Sequence, residues 1–506
     1  LIRLVTQSDQ PTAAEDAAVE AAHALGELVL VPPVRGGRRE PAPAPAAATE
    51  SSPRSTPRRR SELDLTRYAT VVREALRPEV QGSLVEAVGI VVQAEGCRAS
   101  IGDLFEIDNP DGSRVRAEVV GLRGDRTLLV PLDANVPLAA RARVRRLGRA
   151  AMVQVGDGLL GRVIDALGRP LDGRPAPVLS EARPLHGKPP SPLDRRPIEE
   201  PMNTGVRAID ALLTLGRGQR IGVFAGGGVG KSTLLGMMVQ RAEIDVAVVG
   251  LVGERGREVE EFVRTCLGTA LGRSVVVAAT GAEPPQLRAR AALAATTIAE
   301  HFREEGANVL LVLDSLTRFA MAMREIGLAS GEPPTTKGYT PSVFGALPQL
   351  LERAGTTNGP GSITGLYTVL VEGDDPSDPI SDASRAILDG HIMLRRSLAE
   401  RGHFPAIDVP ASVSRLMPQL ASRERMERAR RARALLAAHQ EAEDLLAIGA
   451  YRAGGNPRLD EALEKMPKLE GFLRQETDER ADPSKVDAEL SRVWGDPGRE
   501  QQARMR

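Results

Sequence analysis

The stretch FAGGGVGKSTLLGMM, residues 224–238, constrains the fold of this chain more than any other. An apolar run, RIGVFA, leads into it and a helix-like run, STLLGMMVQRA, leads out, so it reads as strand, glycine-rich loop and helix. Such a loop curls successive backbone N–H groups around an anion, and the positive end of the following helix adds to the attraction. Gly226, Gly227, Gly228 and Gly230 supply the permissive backbone, with Val229 between them. Lys231 is placed to reach the β- and γ-phosphates of ATP and Ser232 to offer its hydroxyl to Mg²⁺, while Thr233 completes the nucleotide-binding run. Loops of this kind usually open on glycine, and here Ala225 stands in that place, which is acceptable if its φ is negative. The alternative is a glycine-rich turn with an incidental lysine.

The chain downstream argues against that alternative. NVLLVLDSLTR is an apolar run ending in Asp314, a buried strand that delivers a carboxylate to the sheet edge, where it would hold Mg²⁺, usually through water. Strands often end in Asp as a turn residue, so Asp314 carries weight because it follows a phosphate loop in the expected order. Between the two, VAVVGLVGERGREVEEF brings Glu254 to the end of another strand, where a carboxylate can orient or deprotonate the water attacking the γ-phosphate. Arg257 and Glu258 read as charges at a helix start.

Strand-like runs alternate with helix-length segments across this region, which implies an α/β fold with a largely parallel sheet covered by helices. Ahead of it, GSLVEAVGIVVQAEGCRASIGDLFEIDNPDGSRVRAEVVGLRGDRTLLVPL reads as short strands separated by turns, the pattern of a small barrel or sandwich. A short helix, LDLTRYATVVREAL, precedes those strands. From about Ser422 the pattern is helical, rich in Ala, Leu, Arg and Glu, ending in a polar tail. Its basic run RERMERARRARA reads as a solvated helix face. Residues 1–61, rich in Pro, Ala, Ser and Arg over their second half, are expected to be a disordered extension.

Lys and Arg total 66 against 67 Asp and Glu, so no chain-wide electrostatic grip on nucleic acid or anionic membrane is expected. Cys97 and Cys266 lie far apart without a CxxC partner, which points to neither a disulfide framework nor a zinc site and fits a reducing cytoplasm. No apolar run approaches the ~20 residues that span a bilayer.

At these residues the chain resembles a known family. GRVIDALGRPLDG, AGGGVGKST, GERGREV, LDSLTRFAMAMREIGLASGEPPTTKGYTPSVFGALPQLLERAG, YTVLVEGDD, LDGHIMLRRSLAERGHFPAIDVPASVSRLM and GGNPRLDEALEKMPKLEGFLRQ together resemble the type III export ATPases, most closely the flagellar branch. These are relatives of the rotary ATP synthase subunits, and the likeness spans roughly residues 63–475. The resemblance implies a variable extension over 1–61, a short helix and β-barrel over 62–150, a RecA-like nucleotide domain over 151–421 and a helical domain over 422–506. It also implies a homohexameric ring in the cytoplasm, peripheral to the inner membrane, working with export-apparatus proteins, a stator-like regulator, export substrates and their chaperones. Ala at the position of Ala225 is common in that family. Phe404 matches an aromatic residue that packs on adenine, Arg415 an arginine finger lent to the neighbouring subunit, and Arg255 an arginine that approaches the phosphates. From the residues alone, Phe404 reads equally as core packing and Arg415 as a surface ion pair.

Three functions compete on this sequence. The first is a catalytic ATPase driving protein export, flagellar or, as the alternative, through a virulence injectisome. The second is a non-catalytic nucleotide-holding ring subunit, against which Glu254 argues. The third is a nucleic-acid motor, poorly served by 3% aromatic residues and by a candidate pore segment, GYTPSVFGALP, with little stacking or phosphate-binding capacity.

Overall fold

The computed structural model describes residues 81–133, 137–148, 151–371 and 378–494. The proline- and arginine-rich extension, the helix expected within 63–76 and the polar tail after residue 494 lie outside them. The first described element is a barrel. Strands β1 (Gln81–Val88), β2 (Val91–Glu95), β3 (Leu104–Asp108), β4 (Arg114–Arg123), β5 (Arg126–Pro131) and β6 (Arg143–Gly148) close in the order β1-β2-β5-β4-β3-β6. Alternation along the strands sets the inner face, where Phe105 and Ile107 on β3 and Val115, Ala117 and Val119 on β4 all point into one apolar core. Of the two architectures open to the sequence, the chain adopts the barrel.

A nine-stranded sheet follows, built on β7 (Arg162–Asp165), β8 (Arg220–Ala225), β9 (Val246–Glu254), β10 (Ser274–Thr280), β11 (Asn308–Asp314), β12 (Ser362–Leu370), β13 (Gly390–Leu394) and β14 (Ile407–Ser414). Their order is β14-β13-β8-β12-β11-β9-β10-β7, with the short strand Gly355–Thr356 paired antiparallel to β12. Every pairing from β13 to β7 is parallel, and β14 alone runs back against β13. The strands are apolar at nearly every position because both faces are covered. On β11, Leu310 and Val312 face one core while Val309, Leu311 and Leu313 face the other. Helices α2 (Pro285–Glu304), α3 (Leu316–Ala329) and α4 (Pro341–Leu351) cover the second face, with α5 (Pro379–Ile387) beside them. The first face takes α1 (Lys231–Arg241) and the C-terminal helices α6 (Arg423–Glu441), α7 (Pro457–Leu473) and α8 (Val486–Trp494).

The basic run on α6 does more than face solvent. Arg425 and Arg428 both bond to Asp487 of α8, while Arg431 bonds to Glu461 of α7 and stacks 4.3 Å over the Trp494 ring. Arg433 donates to the Ser412 carbonyl on β14. These guanidiniums therefore fasten the helical domain together and to the sheet, a role that a charge count along one helix does not reveal.

One buried ion pair ties α2 to the chain beyond α4. Arg353, among the most buried large side chains, donates to both Glu300 oxygens at 2.8 and 2.5 Å, to the Thr297 hydroxyl and to the Leu185 carbonyl. Removing one partner leaves a buried charge without compensation. Arg353→Ala is therefore expected to destabilise the protein by about 3–5 kcal/mol. Denaturant titration checks this, and a further Glu300→Leu change should recover part of the loss.

Candidate active site

Parallel strands place their carboxyl ends on one edge, and in open α/β sheets that edge is where ligands bind. Strands β8, β12, β11 and β9 are consecutive neighbours, so their ends deliver the phosphate loop, Thr368, Asp314 and Glu254 to one place. The register is tight, with Ala225 opposite Leu370, Leu313 opposite Tyr367 and Leu251 opposite Asp314.

The loop runs from the end of β8 at Ala225 to the start of α1 at Lys231. Among the described residues the positive-φ non-glycines are Arg141 and Lys337, so Ala225 meets the backbone condition set for it. Gly228 and Gly230 do need their freedom, at φ +77° and +83°, a region that strains any L side chain. A Cβ on Gly227 or Gly228 would meet nothing within 4 Å, so the outer turn of the loop opens to solvent, while Val229 turns inward and anchors it in the core. Ser232 and Thr233 are exposed at the first turn of α1.

Behind the loop lies a cluster of charges. The Lys231 ammonium pairs with Asp314 Oδ1 and stands 3.7 Å from Glu254 Oε1. Asp314 is 2% exposed, and the Thr368 hydroxyl donates to it at 2.7 Å. Burial, together with the nearby negative charge of Asp314, pushes the Glu254 carboxyl up to about 7, against the pull of Lys231. The Glu258 carboxyl also raises it, which gives that residue a place beside the site that its sequence position did not suggest. A carboxylate near neutrality is well matched to accepting a proton from water. The oxygen donors here, the Asp314 carboxylate and the Ser232 hydroxyl, are few and hard. They suit Mg²⁺, which keeps several waters and shares phosphate oxygens.

The remaining candidates divide. Phe404 borders the loop, with its ring 3.4 Å from the position a Cβ on Gly230 would take. Its 46% exposure sets aside the core-packing alternative. Arg255 follows Glu254 in sequence, and its side chain is 84% exposed and lies 3.9 Å from Glu258 Oε1. Arg415 is not gathered into this site. It follows Ser414, which pairs with Gly390 at the start of β13, whereas Leu394 at the other end of that strand pairs with Ala225. At roughly 3.3 Å per residue, that strand separates Arg415 from its own loop by more than about 13 Å. The guanidinium is exposed, and Nη2 donates to the Arg385 carbonyl at 3.1 Å.

Sequence reasoning passed over Thr368. Its only signal was a hydroxyl near the end of the strand-like run SITGLYTVL, which also carries Ser362, Thr364 and Tyr367, beside the Asp314 strand.

Comparison with known proteins bears on the chain and its domains. Three family models match: the ATP synthase alpha/beta family beta-barrel domain over residues 84–148, the nucleotide-binding domain of the same family over 205–414, and the T3SS EscN ATPase C-terminal domain over 421–492. The flagellum-specific ATP synthase of Pseudomonas aeruginosa is 50% identical over 417 residues, 81% of this chain and 92% of that protein. The type 3 secretion system ATPase of Xanthomonas euvesicatoria is 50% identical over 400 residues, 79% of this chain and 90% of that one. Among solved structures, the assembled ATPase EscN in complex with its central stalk EscO, from the enteropathogenic E. coli type III secretion system, superposes with a TM-score of 0.75 at 44% identity. That match covers 81% of this chain and 99% of that one.

Proposed function

The chain belongs to the ATP synthase alpha/beta family, in its type III export ATPase branch, and from that membership we propose that it hydrolyses Mg-ATP to drive flagellar protein export. One observation carries the catalytic part of this reading: Lys231 of the phosphate loop lies against both Asp314 and Glu254 at the carboxyl edge of the sheet. On this reading the loop amides of residues 226–233 and Lys231 hold the phosphates, Phe404 packs on adenine, and Asp314 with Ser232 holds Mg²⁺, which supplies charge neutralisation at the phosphates. Glu254 orients the attacking water and takes its proton. Arg255, next to Glu254 and exposed, is the further arginine that approaches the phosphates on this reading. The water-orienting carboxylate separates this reading from a nucleotide-holding subunit without turnover.

The active form is a homohexamer, as the family resemblance implies, and Arg415, which lies away from the loop of its own chain, is placed for a neighbour to present it. The EscN–EscO complex supports a central stalk partner for this chain as well. Export-apparatus proteins, substrates and chaperones are the further partners, and the place of work is the cytoplasmic side of the inner membrane. No helix among the described residues is long and apolar enough to cross a membrane. The segment GGNPRLDEALEKMPKLEGFLRQ, which forms α7 and its flanks, favours the flagellar system over the injectisome.

The test is a chromosomal Lys231→Ala change. Hook and filament proteins should disappear from the culture medium while the membrane-embedded flagellar base still assembles. Normal filament export alongside loss of injectisome effectors would transfer the assignment to the other system. Unchanged export of both would overturn it.

A further inference from the structure

Asp314 is nearly fully buried, and two donors meet it at the same oxygen. The Lys231 ammonium pairs with Oδ1, and the Thr368 hydroxyl donates to that Oδ1 at 2.7 Å. Among the described residues, these are the two side chains that hydrogen-bond this carboxylate. They differ in what holds them. Lys231 opens α1 on a long, flexible stem. On the proposed function, on which this inference rests, its ammonium turns to the β- and γ-phosphates. Thr368 is fully buried within β12, between β8 and β11, and branching at Cβ stiffens its one rotatable bond. Its register is fixed on both sides, with Val223 opposite it on β8 and Leu313 opposite the preceding Tyr367 on β11. The hydroxyl has a second acceptor in the Leu313 carbonyl, at 3.4 Å, so the shorter, charge-assisted bond to Asp314 is the favoured one.

A carboxylate buried this far is costly to leave without a donor. Once phosphate engages Lys231, Thr368 is the donor that stays on Asp314. We propose that Thr368 is a positioning residue for Mg²⁺. By holding Oδ1 it fixes the rotamer of Asp314 and leaves Oδ2, which takes no hydrogen bond from a described residue, to the metal's water shell. Thr368 acts through Asp314 alone.

The probe is the fluorescent nucleotide mant-ADP, titrated into the full chain in Mg²⁺ and again in EDTA. The ratio of the two affinities reads the metal's contribution to binding, apart from turnover. Thr368→Val keeps the branched shape and removes the donor. It is expected to shrink the ratio by about tenfold or more, as for other partners that orient a metal ligand, with affinity in EDTA held within about twofold. Thr368→Ser keeps the hydroxyl without the methyl and should hold the ratio within about twofold of the unaltered chain. In an Asp314→Ala background, Thr368→Val should change the ratio no further. Thr368→Ala carries the same comparison if the valine chain misfolds. A folded Thr368→Val chain with an unchanged ratio, an equal loss in Thr368→Ser, or an equal loss of affinity in both media would each overturn the positioning role. A ratio near one in the unaltered chain would overturn the Mg²⁺ site itself, and this role with it.

Discussion

Rings assembled from a mixture of Arg415→Ala and Lys231→Ala subunits are expected to hydrolyse ATP, although neither variant does so alone. On the proposed reading Lys231→Ala removes the cation that meets the β- and γ-phosphates, so its own site should be lost. Arg415→Ala keeps the loop, Glu254 and Asp314, and should bind ATP nearly normally. A guanidinium brought to the γ-phosphoryl oxygens is worth ~10³- to 10⁵-fold in rate, which is the loss expected of Arg415→Ala alone. Within one chain Arg415 lies at the opposite edge of the sheet from the loop. In a mixed ring, some interfaces join an intact Arg415 to an intact Lys231, and those should recover a fraction of full turnover. If mixed rings form and show none, either Arg415 acts within its own chain or the sites fire only in a wholly intact ring. Single-site turnover at limiting ATP decides between these.

The second large effect concerns Glu254. Glu254→Gln keeps the shape but cannot accept a proton, so Mg-ATP should still bind while turnover falls on the order of 10²-fold or more. The position of this carboxyl adds a pH signature. Its proton is held up to about 7, so below that pH the base is increasingly protonated and unable to act. The pH dependence of kcat/KM reports the free enzyme. It should fall about tenfold per pH unit on the acid side of neutrality and level off above it. The Gln variant should show a low profile without that limb. A variant that loses binding but keeps turnover per bound ATP would make Glu254 a structural charge.

The elements that position the site were legible wherever local pattern and chain order agreed. The strand–loop–helix around Lys231 and the apolar runs ending at Glu254 and Asp314 needed only periodicity and loop chemistry, and the structure brings their ends together. Pairing across the sheet was not legible. Thr368 reaches Asp314 because β12 inserts between β8 and β11, and no local rule gives that order. Nor did sequence spacing show that Glu258 lies beside Glu254, or that the arginines of α6 are spent on Asp487, Glu461 and a backbone carbonyl. The barrel was ambiguous for a related reason, since alternation specifies an inner face but not whether the strands close around it.

The pair β13 and β14 has a mechanical consequence. The connection between them carries Phe404 to the chain's own loop, and the eight-residue strand β14 then runs back and ends just before Arg415. Its ends pair with Leu394 and Gly390, four residues apart on β13, so with the bulge in its middle it spans roughly 13 Å. If adenine seats on Phe404 and Arg415 serves the next subunit, one strand connects the filling of one pocket to the arming of another. A tilt of a few degrees about its middle would move both ends by about half an ångström in opposite senses, as on a see-saw. The sequence in which sites around a ring discharge would then be set by the stiffness of a two-stranded ribbon, without any wholesale rearrangement of the subunit.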